Sequence, residues 1–342
     1  MKEKIFKLIK ENIRFIITLV LIVAIFMIEL PFKIYAPGGM IDLNERVSVD
    51  DGFKSDGTLG MAYVSVVRGS LPYITLSFFI PNWDIVPDDN LKNKNETMEE
   101  RMKIDKLSTE QSIGSAILAA YKLAGKEASI TGIHSYISYI DDKSETDVFL
   151  LDELLEVDDV KVSGFDELKE KVEAHHEGDE VKLKVKRNDK EIDCFARVFL
   201  VEGVPKIGMS VVDVYDYEED PHANITMKSS ESGPSGGLMM ALAVYNNLVE
   251  EDITYGYKII GTGTIDKDGN VGAIGGVKYK LLGAVKQKAQ AFIVPKANYE
   301  EAMNIKKEKN LNIAILSVKT LEDAIDQLSV FNKPENDDNM GV

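Results

Sequence analysis

Cysteine is all but missing: Cys194 is the only one in 342 residues. No intrachain disulfide and no cysteine-rich metal site can form. Cys194 itself falls in an alternating stretch that predicts a strand, where it reads as a small packed residue. Histidine is nearly as scarce, with His134, His175, His176 and His222 alone. Positive charge is in deficit, since 57 Asp and Glu oppose 40 Lys and Arg for a net charge of −17. Such a field repels phosphate backbones and excludes nucleic acid as a natural partner. No G-x-x-x-x-G-K-[ST] loop occurs, so nothing points to ATP hydrolysis. No cofactor motif or metal-ligand spacing is present either, and none is expected at the site.

One long apolar run is present. "MKEKIFKLIKENIR" carries Lys2, Lys4, Lys7, Lys10 and Arg14, and "FIITLVLIVAIFMIELPF" follows from Phe15 to Phe32 with Glu29 as its one charge. Eighteen residues at ~1.5 Å each give roughly 27 Å of helix, close to one bilayer core. The expectation is a single-pass transmembrane helix in contact with the lipid bilayer. Its basic flank is cytoplasmic and the rest of the chain extracellular. No small-residue cleavage site follows, which favours an anchor over a signal peptide.

The remainder divides by pattern. Residues 35–128 read as a β region with a strand over Met61–Val67, a charged excursion, and a helix. That helix is expected to start near Ser108, where Ser108 and Gln111 fit a capping box, and to stop at Gly125. Residues 129–203 give a strand, a helix with Phe165, Leu168 and Val172 on one face, and two strands meeting at Asn188-Asp189. Residues 204–330 alternate strands and helices, with a tight turn at Asp268-Gly269. A polar tail occupies 331–342, after the anchor segment 1–34 at the other end. The fold class is therefore a multidomain α/β and α+β chain.

The stretch "ESGPSGGLMMALAV" frames Ser235 with Gly233, Pro234, Gly236 and Gly237 just before an apolar helix. G-x-S-x-G marks the nucleophile elbow of α/β-hydrolases, but that arrangement requires a histidine downstream. All four histidines precede Ser235. Lysine is the remaining common base. An ordinary lysine, with a pKa near 10.4, is neutral in only about one molecule in 2,500 at pH 7, so a lysine base must be desolvated. On the helix after "IGG", with Lys278 set at 0°, Leu281 falls at about −60°, Leu282 at +40°, Val285 at −20° and Ala289 at +20°. Lys278 is thus centred on an apolar stripe, whereas Lys280 falls at about 200° on the opposite face.

These residues carry a resemblance. "SGPSGG", followed 43 positions later by the lysine of "IGGVKYKLLGA", resembles the proteolytic domain of Lon proteases. The resemblance implies a serine-lysine dyad of Ser235 and Lys278, with Thr262 supporting the lysine by a hydrogen bond. Gly233 and Gly236 would admit substrate backbone, and Pro234 would stiffen the turn. The β-α-β-β order of residues 129–203 resembles a PDZ domain, which binds extended peptide ends. With the anchor and "YAPGGM" added, the layout looks like the Lon-like PDZ-domain serine proteases of Gram-positive bacteria. That likeness implies a membrane-tethered, ATP-independent serine endopeptidase acting on exposed or unfolded peptides, with a homo-oligomer formed through the Lon-type domain. The rival expectation is a non-catalytic membrane-anchored scaffold of PDZ and Lon-like domains that only binds peptides.

Overall fold

The computed structural model describes residues 10–87, 96–228, 231 and 233–332. An N-terminal helix, α1 (Ile13–Met27), leads into strand β1 (Glu29–Asp42). The expected eighteen-residue span is therefore not formed. No helix among the described residues is long and apolar enough to cross a membrane. Pro31 supplies the reason, because it has no N–H and disfavours helix in the residue before it. Glu29 instead pairs with Ser70 across β1, and its carboxylate meets Arg68 at 3.0 Å.

The chain continues through β2 (Val47–Val49), β3 (Thr58–Ser70), α2 (Leu71–Ser77) and β4 (Asp84–Pro87) to the long helix α3 (Met98–Ala124). That helix starts ten residues before Ser108. Thr97 Oγ1 caps it by accepting from the Glu100 N–H, the Glu100 carboxylate accepts in return from the Thr97 N–H, and Gly125 ends it in the left-handed conformation. Ser108 is a mid-helix residue, so the earlier of two capping-box sequences is the one that forms.

A β-rich unit follows: β5 (Glu127–Ile140), β6 (Glu153–Val157), β7 (Val160–Lys161), α4 (Phe165–Glu173), β8 (Glu180–Arg187) and β9 (Lys190–Arg197). Val181, Leu183 and Val185 alternate inward, and Leu168 and Val172 of α4 cover them. Phe165, expected on the same face, is exposed. Asn188 and Asp189 both take positive φ, as a two-residue hairpin turn requires. Cys194 is buried in β9 opposite Leu183. A short hairpin, β10 (Phe199–Val201) and β11 (Val204–Lys206), leads to β12 (Met209–Asp220). β12 pairs along its whole length with β5, giving the sheet order β12-β5-β6-β8-β9. The boundary expected at 203 thus cuts this sheet, which extends to Asp220.

Beyond β13 (Ala223–Ile225) come α5 (Gly237–Leu248), β14 (Lys258–Gly261), β15 (Thr264–Ile265), β16 (Val271–Gly272) and α6 (Val277–Lys286). The last elements are β17 (Ala291–Pro295), α7 (Tyr299–Glu308), β18 (Ala314–Val318) and α8 (Leu321–Asn332). The main sheet has the order β18-β17-β14-β3-β1-β4. Segments expected as separate units, 35–128 and 204–330, therefore share one sheet through the parallel pairing of β14 with β3. The β-rich unit is inserted between its halves. The residues of the expected tail beyond Asn332, and residues 88–95 of the charged excursion, lie outside the described residues.

Alternation in β14 sorts the helices. Ile259 points to a core with α3 and α5, and Ile260 to a second core with α6 and α7. α5 and α6 therefore lie on opposite faces of the sheet. Thr262, just past the carboxyl end of β14, links the turn before α5 to Lys280 of α6, at the position where open α/β sheets build their sites.

Candidate functional site

The segment before α5 is irregular because its residues cannot be otherwise. Gly233 has φ +121°, which residues with a Cβ rarely adopt, and Pro234 starts a 3₁₀ turn over Pro234–Gly236. A Cβ on Gly236 would lie 1.7 Å from Met61 Sδ, so only glycine lets this turn close against β3. Helix α3 holds the turn from behind. The Gly233 N–H donates to Thr109 Oγ1 at 3.0 Å, and Ser112 Oγ donates to the Pro234 carbonyl at 3.3 Å. In front, the Arg46 guanidinium meets Glu231 at 3.0 Å, both side chains being largely buried. α5 is apolar all round and almost wholly buried, so the helix carrying the turn is a fixed post of the core.

Ser235 is half-buried at the start of this post. Its carbonyl accepts two hydrogen bonds from the chain leaving β14: Gly263 N–H at 2.8 Å and Thr262 Oγ1 at 2.9 Å. Thr262 is completely buried. Its hydroxyl also accepts from Lys280 Nζ at 3.1 Å. Ser235, Gly236 and Lys280 line one cavity of about 930 Å³, together with Tyr63, Glu231 and Gly276. No histidine is among its lining residues. Each of the four histidines instead faces a carboxylate elsewhere, as His134 does between Glu153 and Asp216.

The lysine expected as base is not the one at this cavity. Lys278 Nζ forms a 2.5 Å ion pair with Asp84 on the edge strand β4, and its side chain is 32% exposed. Tyr279 Oη donates to the same carboxylate at 2.8 Å. Burial pushes the Asp84 carboxyl up, but the Lys278 and Tyr279 hydrogen bonds outweigh it and hold it below its ordinary range. Lys280, expected on the opposite face, is 4% exposed. Burial pushes its ammonium down from 10.5 to about 8.

The helical wheel failed for a definable reason. Its stripe leaned on Leu282, Val285 and Ala289, of which the first two are only half-buried and the third lies beyond the end of α6 at Lys286. The buried face is Val277, Lys280, Leu281 and Ala284. That set has the i, i+3, i+4, i+7 spacing of an ordinary amphipathic helix, with a lysine in its second place.

Of the other expected site residues, Gly233 and Gly236 line the cavity with Ser235. Pro234 is exposed on the turn, and Thr262 touches both Lys280 and the Ser235 backbone from beneath. Sequence reasoning missed Lys280 and the Arg46–Glu231 pair, whose partners lie 185 positions apart.

Comparison with known proteins agrees with this layout. Residues 221–330 match the family model of the Lon protease (S16) C-terminal proteolytic domain, and residues 142–196 match that of the PDZ domain. The archaeal Lon protease of Halobacterium salinarum is 30% identical over 139 residues, covering 40% of this chain and 19% of that protein. The Lon protease of Campylobacter concisus is 32% identical over 104 residues, covering 30% of this chain and 13% of that protein. The chain thus spans less than a fifth of the length of these curated relatives. Among solved structures, the PDZ domain of an SdrC-like protein from Listeria monocytogenes is 21% identical with a TM-score of 0.22, covering 25% of this chain and 90% of that one. The chain therefore carries a proteolytic domain of the Lon (S16) serine endopeptidase type, joined to a PDZ domain.

Proposed function

We propose that the chain hydrolyses peptide bonds with Ser235 as nucleophile and Lys280, in place of Lys278, as general base. One observation carries this reading: a buried lysine lowered to about 8 is bonded to the hydroxyl that holds the Ser235 backbone. Neutral Lys280 takes the proton from Ser235 Oγ as that oxygen attacks the scissile carbonyl carbon. Backbone N–H groups at the start of α5, where a helix has no internal acceptors, stabilise the oxyanion. The carbon–nitrogen bond then breaks, and the Lys280 ammonium returns its proton to the leaving amine. Water attacks the ester with the same lysine as base, releasing the acid and restoring Ser235. No nucleotide-hydrolysis motif lies within these 342 residues, so exposed or unfolded peptides are the proposed substrates, presented by the PDZ domain. We also propose that the apolar helix α1 attaches the chain to a bilayer surface, because large apolar side chains are exposed on all its faces.

The test is labelling by a fluorophosphonate together with cleavage of an unfolded protein. The wild-type chain labels at Ser235 and cleaves, whereas Ser235→Ala does neither. A wild-type chain that neither labels nor cleaves overturns the reading and leaves the peptide-binding scaffold in its place.

A further inference from the structure

The stretch Leu71–Trp83, "LPYITLSFFIPNW", has no charged residue in a chain that is 28% charged. It contains α2 and the turn that closes it, where the Phe79 and Ile80 N–H groups both donate to the Leu76 carbonyl. The turn is therefore ordered, yet it displays its largest side chains: Phe78 is 76% and Phe79 79% exposed. Leu71, Tyr73 and Leu76 of α2 are exposed beside them. Adjacent apolar residues held out in this way mark a surface made to be covered.

The cover follows from what adjoins it. α2 packs against β1, β3 and α1. On α1, exposed residues run right round the helix, among them Phe15, Leu19, Val20, Leu21, Ile22 and Val23. A second protein surface would cover one stripe of such a helix, whereas a lipid phase covers every side. The Leu71–Trp83 surface continues that apolar region. It adds the Tyr, Phe and Trp rings that suit the boundary between acyl chains and headgroups.

We propose that Tyr73, Leu76, Phe78 and Phe79 insert into the interfacial layer of a lipid bilayer next to α1, as a second and shallower contact. This rests on the bilayer attachment proposed above and goes beyond it by fixing the orientation of the catalytic domain. α2 begins where β3 ends, and β3 carries Met61 and Tyr63 to the site cavity at its other end. From Tyr63 to Ser70 the strand spans roughly 23 Å at ~3.3 Å per residue, so the contact holds the site at a set height over the membrane. With no basic residue in the stretch, zwitterionic lipid suffices.

Trp83 is the only tryptophan in the chain, so its fluorescence reports this segment alone. The full chain is mixed with phosphatidylcholine vesicles whose acyl chains are brominated close to the headgroup, and the vesicles are floated. The expected result is flotation with Trp83 emission reduced by roughly half relative to unbrominated lipid, as interfacial burial implies. The paired variant Phe78→Asp/Phe79→Asp is expected to float through α1 but lose the quenching. A chain that floats with Trp83 unquenched overturns this contact alone, and so does a variant quenched as strongly as wild type. A chain that does not float overturns the attachment and the contact together. Unquenched Trp83 with a dimer that the paired variant abolishes assigns the surface to a second copy and also overturns the proposal.

Discussion

Lys280 Nζ lies 3.1 Å from Thr262 Oγ1, and that hydroxyl donates in turn to the carbonyl of Ser235 at 2.9 Å. Two helices from opposite faces of one sheet are joined through a single buried threonine. Lys278, two residues from Lys280, is directed instead to Asp84 on the sheet edge.

The two lysines therefore make opposite predictions. Lys280→Met is expected to lower peptide cleavage by about 10³-fold or more, the scale of removing a positioned base. Lys278→Ala removes a partly exposed ion pair and is expected to keep cleavage within a few-fold, with at most about 1 kcal/mol lost in stability. Rates on an unfolded substrate, with thermal melts beside them, check both. Full activity in Lys280→Met, or its loss in Lys278→Ala, would return the base to Lys278.

A lysine with a pKa of about 8 is neutral in about one molecule in ten at pH 7, so kcat/KM is expected to rise as pH increases through 8 and then level off. Stability must move with the same proton. The unfolded lysine titrates near 10.4, so between about 8 and 10.4 the unfolded chain binds the extra proton and stability rises with pH. Below 8 both states are charged, and burial of the ammonium costs about 3 kcal/mol, the size of that shift. Lys280→Met should therefore be inactive and also melt higher than wild type at pH 7, with the gap closing above pH 10. Denaturant titrations at a series of pH values measure this, and an inactive variant with unchanged stability would contradict a desolvated Lys280.

The turn at Ser235 was readable because its constraint is local: one proline and three glycines before an apolar helix allow little else. The same holds for the Asn188-Asp189 hairpin, whose two turn residues both take positive φ. Other features depend on partners distant in sequence. Nothing local tells β12 to pair with β5 rather than start the next unit, or β3 to lie beside β14. The short α1 depended on Pro31, whose veto on helix outweighs the hydrophobicity of the residues before it. Lys280 was within reach, since Val277, Leu281 and Ala284 already define its face. The stripe drawn through Leu282, Val285 and Ala289 left out Val277 and Ala284, which are buried.

Thr262 tests whether the bridge matters beyond packing. Thr262→Val keeps the shape but removes both hydrogen bonds, and it is expected to lower kcat by roughly 10- to 100-fold with KM little changed. The lost oxygen accepted a proton from the ammonium, so its removal favours neutral Lys280, and the acid limb of the pH profile should shift to lower pH. Thr262→Ser restores the hydroxyl and should recover most of the rate. A valine variant with lower activity but an unmoved pH limb would mean that Thr262 only fills space.

Gly236 is the point where the turn that carries Ser235 touches the sheet. In Gly236→Ala the new methyl would sit 1.7 Å from Met61 Sδ and 2.9 Å from Met61 Cγ, so the turn or the methionine must move. Met61 is buried between the strand and the core and has little free space, and overpacking of this kind costs about 1–3 kcal/mol. Displacing the turn also displaces Ser235, one residue before it, so cleavage is expected to fall more than stability. Met61→Ala alone leaves a hole and should be destabilising as well. In Gly236→Ala/Met61→Ala the methyl enters that hole, so the double variant should be more stable than the sum of the two single losses by roughly 1 kcal/mol or more. The four melts of this cycle, with cleavage rates beside them, separate contact from coincidence. Strict additivity would mean that Met61 does not set the position of the turn, whereas a coupled pair with recovered cleavage ties the placement of Ser235 to the packing of β3.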